Sequence, residues 1–276
     1  MSIQYLYKED EANKRLLQYS WFTAMHTRID ILLYHSSKDL LESTICDIYD
    51  EIVCNEKIAG FYDPQSELYV VNQQASRQPF QLSNELYHMI ELCLEYNRRT
   101  FGCFDVTIKS RFFDNHTIDY VLLEKDTHSV FYGRPDIKVD LSGFVKGYTL
   151  EKIRKILEQA GLNDALISLG TSSIMALGNH PSGIGWKIDF STKGDESAPT
   201  VQLCNQCLST SGNNSEDREH IISPSTGNYI EGIRYAAVVT KNAIDGEVLS
   251  TSLCVASQQQ KKDITKDFDI DQIIIF

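Results

Sequence analysis

The spacing of apolar residues along the first half of the chain predicts a strand followed by three long helices. Residues 28–35, RIDILLYH, read as a strand, and from Asp39 to Tyr62 apolar side chains recur at 41, 45, 48, 49, 52 and 53, the spacing of one helical face. Asp63-Pro-Gln-Ser66 is turn or helix-start chemistry, and 83–100 opens on Ser83-Asn84, with apolar residues at 86, 89, 90, 93 and 94, as a second helix. Residues 137–143, IKVDLSG, read as a strand running into a glycine turn. Apolar positions 145, 153, 156, 157 and 160 then mark a third helix, closed by Gly161. Short β-rich pieces follow at 165–178, 185–190, 200–212 and 230–242, and 243–257 predicts a last helix. Long helices set among hairpin-like strands predict an α+β fold with antiparallel sheets, not an alternating βαβ one.

Composition changes this picture little. A chain of 276 residues with 42% hydrophobic and 23% charged residues buries a full core, and 1–276 is expected to act as one domain. The net charge of -12 is spread along the chain, which argues against a nucleic-acid surface. A phosphate-bearing ligand would then need local help from helix N-termini, backbone amides or a divalent cation. Seven scattered Cys suggest free thiols and a reducing compartment. The N-terminal residues show no leader or lipid-attachment Cys, and no transmembrane segment is expected, because no apolar run reaches about 18 residues. The sequence as written points to the cytoplasm, and to export if a leader was removed.

Three clusters carry candidate chemistry. In VDLSGFVKGY (139–148) a glycine turn feeds a helix start, which leaves about four backbone N–H groups unpaired beside a partial positive charge. Lys146 in that first turn is badly placed for the helix dipole, and a bound anion would explain it; Asp140 would hold an adenine amine or a ribose hydroxyl, or cap the helix. The plainer alternative is a turn that its glycines merely permit. In the polar loop 211–227, His220 is a general base or an exposed spectator. In DGEVLSTS (245–252), Glu247, Ser250 and Thr251 share one helical face and supply hard oxygen ligands of the kind Mg²⁺ takes beside phosphates, or else cap the helix start. Aromatics beside carboxylates at 61–72 and 101–108 fit core packing, and Cys204-Asn-Gln-Cys207, half of a zinc pattern, fits a strand or turn pair.

The order of these patches is more specific than any one of them. FTAMHT (22–27), FYDPQSELYVVN (61–72), FGCFDVTI (101–108), DLSGFVKGY (140–148), ISLGTSSIMALG (167–178), STSGNN (209–214), HIISPSTG (220–227) and GEVLSTSL (246–253) together resemble the ApbE family of FAD:protein FMN transferases, over about residues 22–256. The resemblance implies a T-fold-like α+β architecture. It also implies FAD as substrate and Mg²⁺-dependent transfer of FMN to a Thr or Ser hydroxyl of an acceptor flavoprotein subunit, with release of AMP. Carried over residue by residue, it assigns Asp140 and Lys146 to FAD, with Met25, Tyr62, Cys103, Phe104, Asp105 and Ile222 lining the flavin pocket. The metal would be held by Gly143 and Ser250 through their carbonyls and by Glu247 and Thr251 through their side chains, and His220 would serve transfer. The sequence departs from the family at four places: Glu247 stands for Asp, Thr171-Ser172-Ser173 for a glycine pair and an acid or amide, Lys109-Ser110-Arg111 for Gly-Pro, and Ser223 for Asp or Asn. Two alternatives stay open: an FAD pyrophosphatase yielding FMN and AMP, in which water replaces the acceptor hydroxyl, and, from the Glu247 and Thr171-Ser172-Ser173 departures, a non-catalytic FAD-binding protein.

Overall fold

The structure is a computed structural model and describes residues 3–189, 200–212, 221–232 and 235–275. Strands β1 (Gln4–Asp10), β2 (Arg15–Ala24) and β3 (Thr27–His35) lead into helices α1 (Lys38–Ala59) and α2 (Glu67–Gln74). Strand β4 (Phe80–Gln81), helix α3 (Asn84–Arg99) and strands β5 (Val121–Glu124) and β6 (Ser129–Tyr132) precede helix α4 (Val145–Gln159). The second half holds β7 (Ala165–Leu169), β8 (Ser173–Leu177), β9 (Trp186–Asp189), β10 (Thr200–Leu203), β11 (Gln206–Gly212) and β12 (Tyr235–Thr240). It ends with α5 (Ala243–Val255), α6 (Gln258–Ile264) and β13 (Ile270–Ile275).

The main sheet has eight strands in the order β1-β2-β3-β7-β8-β11-β12-β13, and every neighbouring pair is antiparallel. The α+β expectation holds. Alternation decides which side each strand buries: Phe22, Ile29, Ile31 and Leu33 turn toward Leu41, Ile45, Ile48 and Ile52 of α1 and Ile153 and Leu157 of α4. On the opposite face, Ile174, Ala176, Leu208, Ala237 and Val239 pack with Trp186, Val201 and Leu203 of the β9–β10 pair. A further cluster joins α3 to α5 through Phe104, Val139, Leu141, Phe144, Val248 and Leu249.

Side-chain oxygens start most of the helices. Ser37, Ser66, Ser83 and Asn242 accept from amides in the first turns of α1, α2, α3 and α5, and Ser257 with Gln260 forms a capping box on α6. Gly161, at φ 70°, closes α4 as its spacing predicted. Asp63-Pro-Gln-Ser66 is a helix start, since Ser66 caps α2.

Two sequence expectations need correction. The helix placed at 39–62 ends at Ala59, because Gly60 takes an extended backbone and its carbonyl accepts from the Ser66 hydroxyl. The strand placed at 137–143 is extended chain without a ladder. There the Asn72 side chain bonds both the N–H and the C=O of Val139, at 2.9 and 2.8 Å, and Asp140 N–H donates to the Val106 carbonyl at 2.7 Å. The sequence reading also omitted the β1–β2 hairpin and the segment from α6 to β13. Among the described residues no helix is long and apolar enough to cross a membrane.

Candidate functional site

Two helix ends meet behind the glycine corner. Helix α4 begins after Phe144 with no side-chain cap; the Phe144 and Val145 amides donate to the Leu141 carbonyl, at 2.9 Å each, and among the described residues only the amides of Lys146 and Gly147 are left for a ligand or solvent. A Cβ built on Gly147 would lie 2.7 Å from the Ala243 carbonyl and 3.0 Å from Glu247 Cβ, so glycine is what lets α4 and α5 approach this closely. Gly143 is looser, with Thr251 Oγ1 3.9 Å from the position its Cβ would take. The first turns of α4 therefore stand directly against the 247–251 turn of α5.

Glu247 is only 7% exposed, and one of its two carboxylate oxygens is hydrogen-bonded. Oε2 accepts from Ser173 Oγ at 2.7 Å and Ser209 Oγ at 3.2 Å, while Lys146 Nζ lies 3.7 Å from Oε1 and also bonds the Ser172 hydroxyl. Burial pushes the carboxyl above the usual range, opposed by the Lys146 ammonium and the two serines. One turn on, Ser211 Oγ sits 2.9 Å from Ser250 Oγ and 3.0 Å from Thr251 Oγ1. Ser209 and Ser211, two apart on β11, thus line α5 with hydroxyls. Ser172 and Ser173 fall where the resemblance led us to expect a glycine and an acid or amide, and their hydroxyls bind Lys146 and Glu247. Sequence reasoning missed this role because each contact spans 26 residues or more.

Asp140 forms the second part of the site. Its Oδ1 accepts from Ser142 N–H at 2.9 Å, and its Oδ2 is 2.6 Å from Lys109 Nζ. Lys109 also donates to Tyr62 OH at 3.0 Å, which ties that exposed ring to Asp140. Lys109 was absent from the expected site residues; the only sequence signal for it was the departure at 109–111. Asp105 is buried, accepts from Thr107 N–H at 2.7 Å and Thr107 Oγ1 at 2.6 Å, and is pushed up to about 6 by burial.

Cys103 and Phe104 are buried, and burial pushes the Cys103 thiol up to about 11. Cys103 borders a cleft of 360 Å³ with Asn97, Arg98, Phe101, Ser223 and Pro224. Ile222, beside Ser223, is half-buried and bridges to Tyr229. Met25 stands in a tight turn at φ 50° and its N–H donates to Glu56 Oε1 at 2.8 Å. Thr27, which opens β3 just past this turn, packs on Gly170, two residues before the serine that holds Lys146. His220 lies outside the described residues. A larger depression of 530 Å³, at Pro79, Asn84, Asp126 and His128, contains none of the expected site residues.

The structure therefore groups Gly143, Lys146, Glu247, Ser250 and Thr251, with Asp140 just upstream and Tyr62 joined to it through Lys109. Cys103 and the neighbour of Ile222 share a separate cleft. Among the described residues no three His, Cys, Asp or Glu side chains cluster as metal ligands, so any cation would rely on one carboxylate plus hydroxyl and carbonyl oxygens. That donor chemistry fits a hard divalent ion that also takes phosphate oxygens, and the raised Glu247 carboxyl is a group whose charged form a cation would favour.

The profile of the ApbE family matches residues 25–274. An FAD:protein FMN transferase of Chlamydia muridarum is 25% identical over 261 residues, covering 83% of this chain and 80% of that protein. One of Escherichia coli is 20% identical over 255 residues, covering 79% and 72%. The flavin transferase ApbE of Vibrio cholerae superposes with a TM-score of 0.77 at 18% identity, over 99% of this chain and 93% of that one. The flavinyl transferase ApbE of Pseudomonas stutzeri, in its apo form, gives 0.79 at 16% identity, over 100% and 96%. At these identities the structural likeness speaks for the fold. With the fold shared along the whole chain and the family profile matched over nearly all of it, this chain belongs to the ApbE family.

Proposed function

We propose that the protein is an FAD:protein FMN transferase and that residues 1–276 work as one unit. It would move FMN from FAD to a Thr or Ser hydroxyl of an acceptor flavoprotein subunit and release AMP. The observation that carries this reading is the contact between the α4 start and the 247–251 turn of α5, where Lys146 and Glu247 lie 3.7 Å apart beside uncapped amides. The names of the relatives support the choice of reaction.

In this reading, Asp140 and Lys146 bind the dinucleotide, and the Lys146 ammonium with the Lys146 and Gly147 amides offsets the charge of its pyrophosphate. Glu247, Thr251 and the carbonyls of Gly143 and Ser250 would hold Mg²⁺, which supplies Lewis-acid stabilisation of phosphate charge when bound. The acceptor hydroxyl oxygen forms the new bond to the FMN phosphorus, and the bond from that phosphorus to the bridging oxygen breaks, leaving AMP. The hydroxyl proton passes to His220, a role that rests on the family resemblance alone. Cys103, Phe104, Asp105, Tyr62, Ile222 and Met25 would surround the flavin. None of the seven cysteines is disulfide-bonded, which favours a reducing compartment, in line with the cytoplasm.

The test is AMP release from FAD and Mg²⁺, followed with and without an acceptor subunit. AMP that appears only with the acceptor is the expected result. Equal release without it identifies a pyrophosphatase, and FAD that binds without ever yielding AMP identifies a binding protein.

A further inference from the structure

Resting on the transferase reading, we propose that Lys109 is a positioning residue for FAD: its ammonium clamps the exposed Tyr62 ring to the Asp140 carboxylate and so assembles that edge of the binding site before substrate arrives. The distances are those of a three-part clamp, 2.6 Å from Nζ to Asp140 Oδ2 and 3.0 Å to Tyr62 OH. Nζ also lies 4.9 Å from the centroid of the Phe61 ring and 5.0 Å from that of Tyr62, within cation–π reach of both. The two rings meet edge to face at 4.9 Å.

Burial gives the clamp its direction. The Asp140 side chain is 4% exposed and that of Lys109 31%, so the ion pair runs from the interior to the surface. Tyr62 is 69% exposed, too open for apolar packing to fix it. What orients its ring is the Lys109 contact and the edge of Phe61. Lys109 itself is firmly mounted. Ser110 N–H donates to the Thr107 carbonyl at 2.8 Å, and Ser110 Oγ accepts from Lys138 N–H at 3.0 Å, two residues before Asp140. The turn that carries the lysine is thereby tied to the segment that carries its carboxylate.

A freely rotating Tyr62 would have to be ordered by each incoming FAD, and that entropy would be lost from binding. Lys109 spends it during folding. The effect belongs to affinity and not to the chemical step, because Lys109 acts through Tyr62 and Asp140. The family resemblance led us to expect Gly-Pro at this place, so the clamp is a feature of this chain.

The test uses full-length protein with Lys109→Met, Lys109→Arg, Tyr62→Phe and the Met/Phe double variant. FAD dissociation constants come from flavin fluorescence, KM and kcat from AMP release, and folding from thermal melting. Lys109→Met should raise Kd and KM about fivefold to tenfold with kcat within about twofold, and Lys109→Arg should recover most of the loss. Tyr62→Phe alone should weaken binding by a smaller factor. Added to Lys109→Met it should cost nothing more, because the hydroxyl has already lost its partner. If Lys109→Met fails to fold, Tyr62→Phe and Lys109→Arg decide the matter: wild-type Kd in Tyr62→Phe overturns the clamp. A folded Lys109→Met with wild-type Kd, a loss confined to kcat, or additive Met and Phe losses also overturns it while leaving the transferase reading intact. A wild-type protein that binds no FAD overturns the transferase reading, and this inference with it.

Discussion

At the residue scale, the site carries two buried carboxyls whose environments hold their pKa values above the usual range. Asp105 makes a clean pH probe. Its folded value of about 6 exceeds the unfolded value of about 3.9, so the native state binds the proton more tightly than the unfolded chain does. Stability from this group is therefore present at low pH and is lost as pH rises from about 4 to about 6, by roughly 2 kcal/mol. Asp105→Asn keeps an oxygen for Thr107 and removes the titration. Its melting temperature should gain on that of wild type between about pH 4 and pH 7; a difference constant with pH would show that another group is responsible. Residue identities in the 247–251 turn were legible in the sequence, since Glu247, Ser250 and Thr251 share a face by helical period alone. Lys109, Ser172, Ser173 and Ser209 were not, because their chemistry depends on partners far along the chain: Asp140, Lys146 and Glu247.

At the scale of elements, the α4–α5 contact is the part of the fold that the site depends on most. Gly147→Ala would drive a Cβ to 2.7 Å from the Ala243 carbonyl, a backbone atom that yields only if α5 moves. The expected cost is about 1–3 kcal/mol of stability, with FAD turnover falling as Glu247 shifts. Gly143→Ala meets nothing nearer than 3.7 Å and should melt within about a degree or two of wild type. Equal melting temperatures for the two variants would contradict the described packing.

Helices α3 and α4 were readable because amphipathic spacing coincides with Ser83 at the start of one and Gly161 at the end of the other, and α1 by its spacing alone. Strands β1 and β13 escaped because they are edge strands, exposed or half-buried at every position described, so no alternation marks them. Residues 137–140 have strand-like composition, yet the backbone partners of Lys138, Val139 and Asp140 are the Ser110 hydroxyl, the Asn72 side chain and the Val106 carbonyl. Propensity reports extension and says nothing of the partner.

At the scale of the whole molecule, a protein with a net charge of -12 is asked to bind an anionic dinucleotide. The conflict is resolved locally, by Lys109 and Lys146 set beside buried carboxylates and by a donor set suited to a divalent ion. The fold class and the order of the motifs were legible in the sequence; the meeting of α4 with α5 needed the three-dimensional arrangement. The most direct test is the mass of an acceptor flavoprotein subunit after incubation with this protein, FAD and Mg²⁺. The account predicts a gain of one FMN on a Thr or Ser, abolished by chelating the metal and by Glu247→Gln. An acceptor of unchanged mass, although FAD binds and a range of divalent metals has been supplied, would contradict it.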